Sequence, residues 1–143
     1  MADQQMVDVG PDDPRLADAA PLLQDLDGID LEALRRTYEE GHAAGLRLTS
    51  LYVAGDCVAV AAWRVMATLQ WGRKLHVEDL VTCRETRSRG HGTLLLDELQ
   101  RRGRAAGCSV MDLDSGVQRC RAHRFYTRNG FDITKHHFHR DLV

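Results

Sequence analysis

The apolar positions change period along the chain, and each change marks an element. Residues 4–9 read as a short first strand. In "DDPRLADAAPLLQDL" the residues Leu16, Ala19, Ala20, Leu23 and Leu26 then recur at helical spacing. Asp13 suits a helix cap and Pro14 the first helical position, while Pro21 is expected to kink or split the helix. A second helix is expected from about Leu31, capped by Asp30, with Leu31, Leu34 and Tyr38 as its stripe and Gly45 as its stop. The period changes again in "LRLTSLYVAGDCVAVAAWRVMATLQWGRKLHVEDLVTC", which is rich in β-branched, leucine and aromatic residues. Breaks at Gly55-Asp56 and Trp71-Gly72-Arg73 divide it into three antiparallel strands joined by hairpins. A helix from about Gly90 to Ala106, closed by Gly107, precedes a short strand, "SVMDLD". A helix from about Arg119 to Arg128 ends at Asn129-Gly130, and "FDITKHHFHRDL" reads as a last strand. The predicted order is β-α-α-β-β-β-α-β-α-β, a mixed α/β fold.

Composition narrows the class. The chain has 143 residues, which suits one domain over residues 1–143 with its own core. A net charge of −2 demands no polyanionic partner. The basic residues are nearly all arginine, with lysine only at Lys74 and Lys135. Cys57, Cys83, Cys108 and Cys120 form no CxxC pair, so a zinc ribbon or a thioredoxin-type site is not expected. The polar, acidic start "MADQQMVDVGPDDP" has no signal-peptide pattern, and no apolar run reaches the roughly 20 residues that span a bilayer. The expected setting is the cytoplasm, with free thiols and no membrane partner.

Chemistry enters where the third hairpin strand meets the long helix, through "CRETRSRGHG". A helix start presents unpaired N–H groups and partial positive charge, and holds an anion without a special side chain. Gly90 and Gly92 allow close approach to the backbone, and Arg87 and Arg89 add charge-assisted bonds. A Walker A loop is excluded by the missing Gly-Lys-(Ser/Thr), and a Rossmann fingerprint would need an earlier strand-turn-helix.

"RSRGHG", residues 87–92, resembles the (Arg/Gln)-x-x-Gly-x-(Gly/Ala) signature of the GNAT N-acetyltransferase family. "EDLVT" before it resembles that family's fourth strand. "AHRFYTRNGF", residues 122–131, is similar to its Ala-x-x-Phe-Tyr-x-x-x-Gly-Phe pattern. The element order matches too, so the resemblance implies a GNAT-type, mostly antiparallel central sheet flanked by helices. "RxxAHRFYxRxGF", with "F-x-R-D-L" near the end, is similar to the branch of small-amine acetyltransferases that includes aminoalkylphosphonate enzymes, although no phosphonate-binding set is visible. Many members carry asparagine where this chain has Arg119.

The resemblance implies acetyl-CoA as cosubstrate. Its pyrophosphate would rest on backbone N–H groups of Arg87, Ser88, Arg89, Gly90, His91, Gly92 and Thr93. The pantetheine arm would pair with Leu80, Val81 and Thr82, and an N–H near Leu80 would stabilise the developing oxyanion. Tyr126 matches the family's acid for the leaving thiolate; as a plain residue it would be a core tyrosine sharing an apolar face with Ala122 and Phe125. Glu78 is the candidate for taking the amine proton, directly or through water; otherwise it anchors the ammonium or faces solvent. His76 shares its strand face and titrates near neutral pH, whereas Asp79 should point the other way. His137 and His139 share one face of the expected last strand. With His76 and Glu78 they invite a metal reading, but their spacing fits no zinc signature. No metal is expected; His76 and His137 read as substrate contacts.

The leading expectation is transfer of an acetyl group to a primary amine of a small molecule, by direct attack in a ternary complex. The alternatives are acetylation of a protein lysine or N-terminus, use of another acyl donor such as aminoacyl-tRNA, and a non-catalytic acyl-CoA-binding module. Arg101, Arg102, Arg104, Arg119, Arg121, Arg124 and Arg128 read as solvated helix faces, so no nucleic-acid partner is expected. A homodimer formed through the last strand is expected.

Overall fold

In the computed structural model, which describes residues 3–143, the chain runs β1 (Gln4–Val9), α1 (Leu16–Asp27), α2 (Leu31–Ala43), β2 (Arg47–Val53), β3 (Asp56–Thr68), β4 (Gly72–Thr82), α3 (His91–Ala105), β5 (Val110–Leu113) and α4 (Cys120–Arg128). The strands form one sheet in the order β1-β2-β3-β4-β5, and the first three pairings are antiparallel. The chain divides into a unit ending at Asp112 and a second unit, Leu113–Val143.

Within the first unit the helices cover both faces of the sheet. Leu16, Ala19, Ala20 and Leu23 of α1 and Leu34 and Tyr38 of α2 pack on Val7, Val9, Leu48, Val60, Ala62 and Val81. Tyr38 does more than fill that stripe. Its hydroxyl donates to the Val9 carbonyl at 2.5 Å and accepts from the Leu48 N–H at 3.0 Å, tying α2 to two strands. On the opposite face α3 buries Leu95, Leu96 and Leu99, and Gly103 rides close over Leu75: a Cβ there would lie 3.5 Å from the leucine side chain.

Three expectations are corrected. Pro21 does not split α1, which runs unbroken from Leu16 to Asp27. The ring lies on the exposed side, so the cost is one helical hydrogen bond, offset by the buried stripe. The helix also starts later than Pro14: Asp13 and Pro14 belong to a preceding turn, in which Asp13 accepts from the Arg15 N–H at 2.9 Å. Finally, residues 131–143 form no strand. Their apolar residues, Phe131, Ile133, Phe138, Leu142 and Val143, do not sustain an alternation, and the histidines that complete the pattern are polar. Ile133 and Phe138 are 85% and 90% exposed, so no apolar face is buried to fix a register.

Candidate active site

The site is organised by an irregularity in β4. Trp63 pairs with Val77 and Ala62 with Asp79, which leaves Glu78 as an extra residue, a β-bulge. Strict alternation would send Asp79 to the far face. The bulge instead turns Glu78 and Asp79 to the same side. There they line a cavity of about 200 Å³ with Asp27, Leu34, Tyr38 and Leu46 among its walls. The cavity is apolar for most of its lining, with carboxylates at its edge.

Next to it on the same sheet face runs a polar strip. Arg64 pairs across the ladder with His76. Its Nε lies 2.9 Å from Glu78 Oε1, an ion pair out of line for a hydrogen bond. His76 Nδ1 lies 2.6 Å from Asp112 Oδ1, and Lys74 Nζ donates to Asp112 Oδ2 at 2.9 Å. Burial pushes the Asp112 carboxyl up, but the bonds from Lys74 and His76 outweigh it and hold it below the usual carboxylate range. It is therefore an anion at neutral pH. Sequence reasoning singled out neither Arg64 nor Asp112; only the pairing of strands brings them to His76 and Glu78.

Past the bulge, Leu80 and Val81 are buried and Thr82 half-buried, and the Cys83 N–H extends the ladder to the Val58 carbonyl at 2.7 Å. Ahead of the bulge, Ser109 N–H donates to the Arg73 carbonyl at 3.0 Å. The chain then makes a short 3-10 turn, Arg84–Thr86, and reaches α3 through residues held in left-handed backbone: Ser88 at φ 66° and Gly90 at φ 83°. No side chain caps α3, so its first N–H groups are presented to the loop. A Cβ on Gly90 would point into open space. His91 is 7% exposed and its Nδ1 has no hydrogen-bond partner among the described residues. An uncapped helix start, an orphaned buried nitrogen and open space over Gly90 fit the pyrophosphate of a coenzyme. Arg87, expected beside that phosphate, has Nη2 3.9 Å from Asp25, which also binds Arg84 at 2.9 Å.

The second unit holds Tyr126 and His137. Tyr126 is half-buried on α4, with its ring edge-on to Phe125 and Phe131 at 5.3 and 5.7 Å. His137 Nδ1 lies 3.6 Å from Asp114, with both side chains largely exposed. His139 lies 3.5 Å from Asp141. Among the described residues no group of three or more His, Cys, Asp or Glu is placed to hold a metal ion, and no helix is long and apolar enough to cross a membrane.

Comparison with known proteins gives a consistent answer. Residues 18–131 match the model of the acetyltransferase (GNAT) family. The chain is 33% identical over 129 residues to YhdJ, an uncharacterized N-acetyltransferase of Bacillus subtilis strain 168, covering 88% of this chain and 91% of that one. Among solved structures it resembles the aminoglycoside N-acetyltransferase AAC(6')-Iy in complex with CoA (TM-score 0.87, 19% identity, 100% of this chain and 97% of that one). It also resembles a ribosomal-protein-alanine N-acetyltransferase from Brucella melitensis (TM-score 0.83, 14% identity, 99% and 100% covered).

Proposed function

The chain belongs to the GNAT acetyltransferase family, and from that premise we propose that it is an acetyl-CoA-dependent N-acetyltransferase acting on a primary amine of a small molecule. One observation carries this reading. A single strand, β4, lines the cavity with Glu78 and Asp79 at its bulge and then leads into the uncapped start of α3. Donor and acceptor would thus be positioned by one rigid element.

Acetyl-CoA would supply the activated acetyl group. The N–H groups from Arg87 to Thr93 would bind its pyrophosphate, and Leu80, Val81 and Thr82 would align the pantetheine arm. An N–H near Leu80 would meet the developing oxyanion. Glu78 would attract the ammonium to the mouth of the cavity, Glu78 or His76 would take its proton, and Tyr126 would protonate the departing thiolate. His137 would contact the substrate.

The small-molecule acceptor is supported by the size of the cavity, about 200 Å³. Solved structures also show aminoglycoside acetyltransferases of this fold with CoA-linked acetylneamine or sisomicin. The similarity to a ribosomal-protein-alanine N-acetyltransferase favours a second reading, acetylation of a protein N-terminus. We also assign a homodimer, supported by the exposed Ile133, Phe138 and Leu142 of the C-terminal segment, to be measured by light scattering.

The test is release of CoA thiol from acetyl-CoA with a panel of amines: polyamines, amino sugars, aminoalkylphosphonates, amino acids and short peptides. Amine-dependent release that falls about a hundredfold in Tyr126→Phe supports the reading. Release with peptides alone would transfer it to protein acetylation. CoA binding by calorimetry without release would favour another donor or a binding module, and no CoA binding would overturn it.

A further inference from the structure

Two groups on β4 are candidates to take the amine proton, and their surroundings differ. Glu78 is matched to the guanidinium of Arg64 at 2.9 Å. His76 is matched to a carboxylate through one ring nitrogen only: Nδ1 lies 2.6 Å from Asp112, and Nε2 has no partner among the described residues. The His76 side chain is 21% exposed, so the ring is not sealed from solvent. Asp112 is itself braced from behind by Lys74 at 2.9 Å. A carboxylate that accepts from Nδ1–H selects the tautomer with a basic Nε2 and stabilises the imidazolium that follows.

We infer that His76 Nε2 takes the proton of the acceptor's ammonium and that Asp112 is the positioning residue that makes this nitrogen the base. The inference rests on the acetyltransferase reading above. In the step, an N–H bond of the ammonium breaks and an Nε2–H bond forms, leaving a neutral amine with its lone pair free to attack. The imidazolium later returns the proton to solvent. The second amine proton leaves with the CoA thiol, so the sum is an amide, free CoA and one released proton. Glu78 keeps the role of anionic anchor. It lies two residues along the same strand from His76, at the bulge. The charged groups that face His76 are Asp112 on β5, Lys74 and Glu78 on its own strand, and Arg64 on β3.

The test combines imidazole ¹⁵N NMR on the full chain, with His76→Gln for assignment, and pH profiles of kcat/KM with an amine from the panel. The neutral His76 ring should carry its proton on Nδ1. Asp112→Asn should release the ring proton from Nδ1, so that both tautomers appear, with about a tenfold loss of kcat/KM at neutral pH. His76→Gln should cost about a hundredfold or more and remove the limb, whereas Glu78→Gln should leave the limb in place. A wild-type ring protonated on Nε2, or an Asp112→Asn variant with the wild-type tautomer and kcat/KM, overturns the inference while the acetyltransferase reading stands. A wild type silent with the whole panel overturns both.

Discussion

Two arginine–carboxylate networks lie on opposite faces of the same sheet, and they differ in whether they close. On the α3 face Arg102 donates to Glu98 at 2.8 Å, reaches Asp8 and Thr49, and stacks its guanidinium 5.7 Å from the Trp63 ring centre. Thr49, fully buried, donates to Asp8 at 2.9 Å and accepts from the Trp63 indole N–H at the same distance. These groups serve one another. On the other face Arg64 meets Glu78, and Asp112 meets His76 and Lys74, but the second imidazole nitrogen has no partner among the described residues. A closed network stabilises the fold; an open one leaves binding capacity for a ligand.

The sharpest way to break this contrast is Arg102→Met. It strips Asp8, Thr49 and Glu98 of a shared donor and should cost about 2–3 kcal/mol of stability by urea denaturation. Amine-dependent CoA release per folded molecule should stay the same. Conversely, Glu78→Gln should raise KM for the amine about tenfold, about 1.4 kcal/mol, with an unchanged urea midpoint. A drop in stability there would place Glu78 with the structural set.

A pH experiment sharpens the comparison further. The bonds from Arg101, and then from Arg102, hold the Glu98 carboxyl down to about 2, below its unfolded value. Its contribution is present above the unfolded carboxylate range near 4.3 and is lost as pH falls from there toward 2. Thermal midpoints should therefore fall over that window, and Glu98→Gln should flatten the fall. The smallest effect concerns the thiols. Burial pushes Cys57 up to about 11, whereas Cys120 is exposed. A thiol reagent at neutral pH should label Cys120 at once and Cys57 only on unfolding.

The comparison also explains what a reader of the sequence can see. The helices and hairpins were legible because Leu16 to Leu23, Leu34 to Tyr38 and Leu95 to Leu99 repeat at the period of the face they bury. The turn into α3 was legible because Gly90 and Gly92 stand between the last hairpin strand and a leucine-rich helix; that Gly90 is left-handed, at φ 83°, is what the structure adds. The partners of the candidate site residues were not. His76 meets Asp112 across 36 positions, and Arg64 meets Glu78 across the ladder; both depend on strand order and register, which no local pattern carries. Asp79 was misplaced for the same reason, since a bulge is defined by the partner strand. The expected last strand failed because "KHHFHR" imitates alternation with histidines, whose side chains bury no apolar face.

The extra residue at position 78 is best understood as a phase slip. Before it, the odd-numbered Leu75 and Val77 look toward α3; after it, the even-numbered Leu80 does, paired with Ala61. The residue count through this point matters more to folding than the identity of the side chain there. Substitution at Glu78 leaves every downstream residue in phase. Deletion would turn Leu80 and Val81 onto each other's faces and carry the error into the loop before α3. The same position is thus tolerant as a letter and intolerant as a spacer, which leaves its side chain open to variation with the substrate while the strand that holds it stays in frame.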